Sequence, residues 1–323
     1  MFVQLKNRLA FIFENARWRA LPQSIISCIL AICLAANEKN FSLLNGFLGT
    51  IGVISVHLSA NLFDDYFDYI QDKVCIRNKT KGARSLKCAN IINGEASVTD
   101  FLRWAISFGT IASAIGIYFI AKIGLPVIYF MLAGAFLTIF YSAPPFKLSY
   151  RGFGELVIGL MFGPLLVCGL FYVATETITT SALLMSAATG LLATNIVYVH
   201  SIMDTKADEA CDKLTLAGVL KTKSLQMIAL CIFTFLPFVI AFITSKFLGT
   251  ILLTTLPLAI YLVYVMSDKK RHKILFRFIP QKRWKCTLKA DYDYFITRWL
   301  LARNFMTLFV GIICIFYILK VAK

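Results

Sequence analysis

Seventeen of the 323 residues are acidic, and eight of them gather in two places. One group follows Asn61 and comprises Asp64, Asp65, Asp68 and Asp72. Asp64, Asp68 and Asp72 stand at i, i+4 and i+8, so on a continuing helix they share one face. The second group comprises Asp204, Asp208, Glu209 and Asp212, and its aspartates repeat the same spacing. Carboxylates stacked four residues apart repel each other, and the stacking turns favourable when divalent cations sit between them. Oxygen ligands with no His or Cys partner select Mg²⁺ rather than zinc. Two such ladders holding Mg²⁺ form a receptor for a diphosphate, because Mg²⁺ binds through a few carboxylates plus substrate phosphate oxygens. Two other readings stand beside this one. Either ladder could be a solvated helix end, and carboxylates in a membrane protein also mark ion pathways, as in a cation-coupled transporter.

The elements that must position these groups are membrane spans. Hydrophobic residues make up 59% of the chain and charged residues 15%. Soluble domains run nearer 45–50% and about 25%, so a soluble globular protein, a disordered chain and a coiled coil are excluded together. The sequence predicts an all-α polytopic bundle of nine transmembrane helices, near 21–37, 43–63, 101–121, 124–142, 154–174, 181–202, 225–245, 248–267 and 304–320. No linker separates a second domain, so residues 1–323 read as one unit. With the N-terminus inside, the segments 1–20, 64–103, 143–153, 203–224 and 268–303 carry 28 of the 33 Lys and Arg. That bias puts the N-terminus and both ladders on the cytoplasmic side and the C-terminus outside. The net charge of +16 is then a property of loops facing an anionic leaflet rather than a nucleic-acid footprint. Residues 1–20 mix Phe2, Leu5, Leu9 and Phe13 with Lys6, Arg8, Arg17 and Arg19, which fits an amphipathic helix on the membrane surface and not a cleavable signal peptide. The nine Cys form no CxxC pair and read as small buried hydrophobes.

Both ladders resemble the paired Asp-rich motifs of the UbiA-type intramembrane prenyltransferases. In that family the first motif reads roughly N-D-x-x-D-x-x-x-D, and the second is D-x-x-x-D followed by K-x-T-L. This chain has Asp64, Asp65, Asp68 and Asp72 in the first, and Asp204, Asp208, Lys213, Thr215 and Leu216 in the second. Nine spans with cytoplasmic motifs after the second and sixth match the family plan along nearly the whole chain. The loop from Tyr141 through Pro145, Lys147, Tyr150 and Arg151 to Glu155 resembles that of the 1,4-dihydroxy-2-naphthoate polyprenyltransferases, as does the run from Arg17 to Pro22. The R-T-x-x-R-P-L run of the hydroxybenzoate and haem O branches is absent between Arg77 and Leu86. Two departures stand out: Asp64 occupies the usual Asn position, and His200, Ser201 and Met203 replace a common N-N-x-R.

The resemblance implies transfer of a polyprenyl chain from its diphosphate to an aromatic acceptor, with Mg²⁺ as cofactor. It favours 1,4-dihydroxy-2-naphthoate in menaquinone synthesis, with 4-hydroxybenzoate or a lipid head group as the alternative acceptor. It implies Asp64, Asp65, Asp68, Asp72, Asp204 and Asp208 as metal ligands. Asp68, Asp208, Lys213 and Lys147 are assigned to catalysis, the two lysines as positive charge for the leaving diphosphate. Asn61, Tyr141, Arg84, Arg151 and His200 are assigned to substrate binding. Tyr66, Phe67, Tyr141 and Tyr198 lie near the motifs and could face an allylic carbocation. His200, four residues before Asp204, could take a proton from the acceptor, and His57 sits deeper in its span. The membrane expected is the inner (cytoplasmic) one, with the site open to the cytoplasm. Membrane lipid is an expected partner, while nucleic acid and an obligate protein partner are not.

Overall fold

Hydrocarbon offers a backbone no hydrogen-bond partner, so a spanning chain must close its bonds within helices or a sealed barrel. The computed structural model of the protein describes residues 2–78, 88–210, 212–268 and 292–322, and among these every regular element is helical. In chain order these are α1 (Phe2–Asn15), α2 (Leu21–Ala35), α3 (Leu43–Asn78), the single turn α4 (Ala89–Ile92), α5 (Val98–Ile123) and α6 (Pro126–Phe140). Next, α7 (Gly154–Leu160), a π-helical stretch Met161–Cys168 and α8 (Gly169–Thr175) make one continuous span. After it come α9 (Thr180–Glu209), α10 (Leu216–Val219), α11 (Lys223–Thr244), α12 (Lys246–Leu252), α13 (Leu256–Ser267) and α14 (Tyr292–Val321).

Among the described residues, eight helical segments are long and apolar enough to cross a membrane, and they coincide with eight of the nine expected spans. The fourth is realised as α6, apolar throughout but only 15 residues long. At 1.5 Å per residue that is about 22 Å, short of a hydrocarbon core of about 30 Å. Gly124 at φ 111° closes α5, Pro126 opens α6, and the chain turns again after Phe140, so both ends of the expected 124–142 window go to turns. Local signals set the other starts. Ser97 and Asp100 cap α5 reciprocally, and Thr179, Thr222 and Ser245 accept from the backbone of the first turns of α9, α11 and α12.

The main core joins α2, α8, α9, α11, α13 and α14 through residues such as Leu30, Phe171, Leu192, Leu230, Leu262 and Phe305. A smaller cluster of Ala16, Leu58, Leu62, Ile91, Phe101 and Ala105 ties the end of α1 to α3, α4 and α5. The amphipathic α1 is docked on α5, with Phe11 and Phe13 meeting Trp104 and Phe108 edge-on. The fifth and sixth spans touch backbone to backbone at Gly159, Gly163 and Gly190. A Cβ on Gly163 would stand 2.5 Å from the Gly190 Cα and the Ser186 carbonyl. Small residues let membrane helices approach this closely. Arg298, counted in the sequence only as inside charge, is fully buried. It donates to the carbonyls of Val265 (2.8 Å) and Asp268 (3.1 Å) at the C-terminal end of α13, where helix geometry leaves acceptors without partners.

Candidate active site

The first acidic group lies on an unbroken helix. α3 continues through Asp64, Asp65 and Asp68 to Asn78, and all three carboxylates are buried, at 8%, 5% and 1% exposure. Helix geometry turns neighbours about 100° apart, so for Asp64 and Asp65 to share a site a bent or unwound helix end would be expected. The helix stays regular instead, and one guanidinium spans the gap. Arg17 donates from Nη1 to Asp64 Oδ2 at 3.1 Å and from Nη2 to Asp65 Oδ1. Burial alone would lower the pKa of Arg17, but the Asp65 and Asp64 carboxylates outweigh it and hold the value above the usual one. Arg17 itself sits in the left-handed region (φ 54°, ψ 46°), in a turn fastened to α3 by Asn61 Nδ2 donating to the Ala16 carbonyl at 2.9 Å.

In the second group, Asp204 and Asp208 are buried on α9 while Glu209 is exposed, as one shared face requires. The third rung differs from expectation. α9 ends at Glu209, and Asp212 lies beyond it, exposed and with φ 53°, so this ladder has two rungs rather than three. The helix terminates because the backbone folds back, the Lys213 N–H donating to the Asp208 carbonyl at 2.9 Å. His200 Nδ1 stands 3.4 Å from Asp204 Oδ2.

Residues 141–155 connect the two groups. Ser142 donates to Asp64 Oδ1 and the Tyr150 hydroxyl to Asp68 Oδ1, each at 2.6 Å. Gln71, one turn further along α3, donates to the Ser142 carbonyl at 2.8 Å. On the other side, the Lys213 ammonium lies 5.2 Å from the centre of the Tyr150 ring, in cation–π range. Tyr150 and Gly152 exchange backbone hydrogen bonds with Leu214. The buried Glu155 carboxylate accepts the Leu216 N–H with both oxygens, at 3.1 and 3.2 Å. Thr215 caps α10. The K-x-T-L run is therefore the strap by which the second group is held to the loop. Gly152 is needed there, since at φ 83° a Cβ would meet Val219 at 2.5 Å.

Other residues singled out from the sequence divide. Lys213 stands between the groups through Tyr150. Tyr141 is half-buried at the head of the loop and Lys147 half-buried within it. Arg151 points away, exposed and donating to the Pro145 carbonyl at 3.0 Å. Tyr198 is fully buried against Phe233, with its hydroxyl donating to the Gln226 carbonyl at 3.1 Å, which removes it from the site. Tyr66 packs with the small apolar cluster and against Phe67. His57 hydrogen-bonds Ser24 across α2 and α3 and meets the Phe162 ring edge-on. Asp72 keeps the helical register of α3, but its side chain, like all of Arg84, lies outside the described residues. The sequence reading missed Ser142, Tyr150 and Glu155 and gave Arg17 no role in the site.

Five of the six aspartates expected as ligands are thus buried on two helices, as hard oxygen donors without sulfur or imidazole closing the set. Among the described residues, no three His, Cys, Asp or Glu side chains stand close enough to hold one ion between them. Mg²⁺ does not demand such a cage, because it keeps waters and uses one or two carboxylates plus substrate phosphates. Asp64 and Asp65 already gather around one positive charge, that of Arg17, so the donor set fits a hard cation.

The chain is 24% identical over 206 residues to 1,4-dihydroxy-2-naphthoate octaprenyltransferase of Bacillus subtilis (strain 168), covering 64% of each chain. It is 25% identical over 271 residues to UbiA prenyltransferase domain-containing protein 1 of Dictyostelium discoideum, covering 81% of this chain and 80% of that one. Among solved structures, a UbiA homolog from Archaeoglobus fulgidus bound to DMAPP and Mg²⁺ superposes with a TM-score of 0.54 at 15% identity, over 94% of this chain and 98% of that one. A digeranylgeranylglyceryl phosphate synthase superposes with a TM-score of 0.62 at 14% identity, over 96% and 98%. These identities establish a shared fold. Residues 24–284 match the UbiA prenyltransferase family, and the chain, an integral membrane protein, belongs to it.

Proposed function

We propose that this protein transfers a polyprenyl chain from a polyprenyl diphosphate to an aromatic acceptor, 1,4-dihydroxy-2-naphthoate in the first instance, with Mg²⁺ as cofactor. One observation carries the reading: buried carboxylates on α3 and α9 are joined by a single loop that sets Tyr150 and Lys213 between them. Relatives named as naphthoate octaprenyltransferases support the acceptor. The bias of 28 of 33 Lys and Arg to one set of loops supports an inner-membrane protein whose site opens to the cytoplasm.

The reaction breaks an allylic carbon–oxygen bond, whose electron pair leaves with the diphosphate. Bound Mg²⁺ would supply Lewis-acid neutralisation of that developing charge. Asp64, Asp65, Asp68, Asp204 and Asp208 would hold it, with Asp72 as a sixth ligand. Lys213, kept in place by the Tyr150 ring, and Lys147 add positive charge to the leaving group. A ring carbon of the acceptor then gives a π pair to the allylic carbon, and the naphthoate ring also releases its carboxyl group as carbon dioxide. Tyr141 and Asn61 would help bind the acceptor, and His200, with Nδ1 3.4 Å from Asp204 Oδ2, would handle an acceptor proton. Arg84 completes the proposed substrate-binding set, whereas Arg151, turned to Pro145, drops to a loop brace.

The test is direct. Purified protein is incubated with Mg²⁺, a polyprenyl diphosphate and a panel containing 1,4-dihydroxy-2-naphthoate, 4-hydroxybenzoate and a glycerol phospholipid precursor, and products are identified by mass spectrometry. A prenylated, decarboxylated naphthoate that is lost in EDTA and restored by Mg²⁺ supports the proposal. Product from another acceptor alone overturns the acceptor, and product formed in EDTA overturns the metal.

A further inference from the structure

Arg17 is delivered to the acidic site with some force. It occupies a left-handed backbone conformation that is strained for a non-glycine residue. The Asn61 hydrogen bond and the fully buried Ala16 pin its turn against α3. Its planar fork reaches one oxygen on each of two adjacent carboxylates, one from each terminal nitrogen. Ser142 completes Asp64 on its other oxygen. Asp64 and Asp65 are therefore already engaged by a cation belonging to the chain, at the carboxylates proposed to bind metal.

We infer that Arg17 is a resident counter-cation of the first acidic motif, which divalent metal must displace and which then moves onto the diphosphate of the donor. This rests on the metal-dependent reading above. A guanidinium and a metal ion compete for the same carboxylate lone pairs and repel each other across them, so metal binding without donor is opposed by Arg17. A diphosphate offers the freed fork a bidentate acceptor of like geometry, which offsets the loss. Metal and donor thus become mutually reinforcing ligands, and reciprocity requires each to raise the affinity for the other. Without donor, the site is kept neutralised by its own side chain.

The test measures binding and needs no turnover. Mn²⁺ affinity is determined by electron paramagnetic resonance on the detergent-purified full chain, with and without inorganic pyrophosphate, for the wild type, Arg17→Gln and Asp68→Asn. Arg17→Gln should bind Mn²⁺ alone at least about fivefold more tightly than wild type, the lower end of ordinary coupling between sites. It should also gain less from pyrophosphate than wild type does. Equal Mn²⁺ affinity, or an equal gain from pyrophosphate, overturns the inference. Should Arg17→Gln not purify folded, Arg17→Lys serves, since a shorter side chain with a compact ammonium loses the planar fork that meets both carboxylates; the same shifts are expected, smaller, and no shift overturns the inference. Asp68→Asn separates the two levels. If it binds Mn²⁺ like wild type, the metal reading itself fails; if it loses Mn²⁺ while Arg17→Gln matches wild type, only the role of Arg17 fails.

Discussion

Tyr150 serves two masters: its hydroxyl ends on Asp68 and its ring lies beneath Lys213. Tyr150→Phe removes the first contact and keeps the second. A hydrogen bond to a charged group contributes about 1.5–3 kcal/mol, so kcat/KM should fall about ten- to a hundredfold, with the melting temperature nearly unchanged. Steady-state kinetics beside a thermal melt would check both halves. Burial separates two other carboxylates. Asp65→Ala strands Arg17 beside one partner and should cost about 2–5 kcal/mol of activity, whereas exposed Glu209→Ala should stay within about twofold. Equal losses at the two positions would sink the assignment of faces. The aspartates were legible in the sequence because carboxylates are conspicuous in an apolar chain and their spacing repeats. Arg17, Ser142, Tyr150 and Glu155 were not, since each is a lone residue in a turn, a loop or a helix start whose partner is 47 to 82 positions away. Periodicity carries no trace of such pairs.

At the scale of elements, hydropathy located every span, because lipid fixes both the length and the composition of what crosses it. What it could not locate were the places where the backbone itself decides. Asp212 shares the i+4 spacing yet falls past the end of α9, where the chain closes on Asp208. The π-helical stretch around Pro164 reads from the sequence as ordinary helix. The glycine seam reads only as scattered glycines, although it sets how α7 and α9 approach and so where Asp204 and Asp208 stand. Gly163→Val tests that seam. Its side chain would meet backbone rather than a flexible side-chain tip, so the spans must separate. Overpacking of this kind costs about 1–3 kcal/mol, and the melting temperature in detergent should drop by several degrees, with activity falling alongside. A variant as stable as wild type would mean that the two spans are free to slide.

For the whole molecule, charge asymmetry and the family match point to the same plan, in which the acidic groups share one membrane face. The short helix α6 adds a consequence for the lipid around it. An apolar cylinder of about 22 Å in a layer of about 30 Å is a hydrophobic mismatch, and the bilayer responds by thinning locally. Lipid-facing residues such as Tyr129, Leu132 and Phe136 place that thinning along one flank, and α6 leads directly into the loop that touches Asp64 and Asp68. Headgroup depth is thereby drawn toward the site, so a substrate with an ionic head and a very long tail can keep each end in its own medium while it docks. Activity should then vary with bilayer thickness. In proteoliposomes of phosphatidylcholines of graded chain length, kcat/KM for a long-chain donor should be highest in thin bilayers and fall as the acyl chains lengthen, and a flat profile would dissociate the short helix from substrate entry.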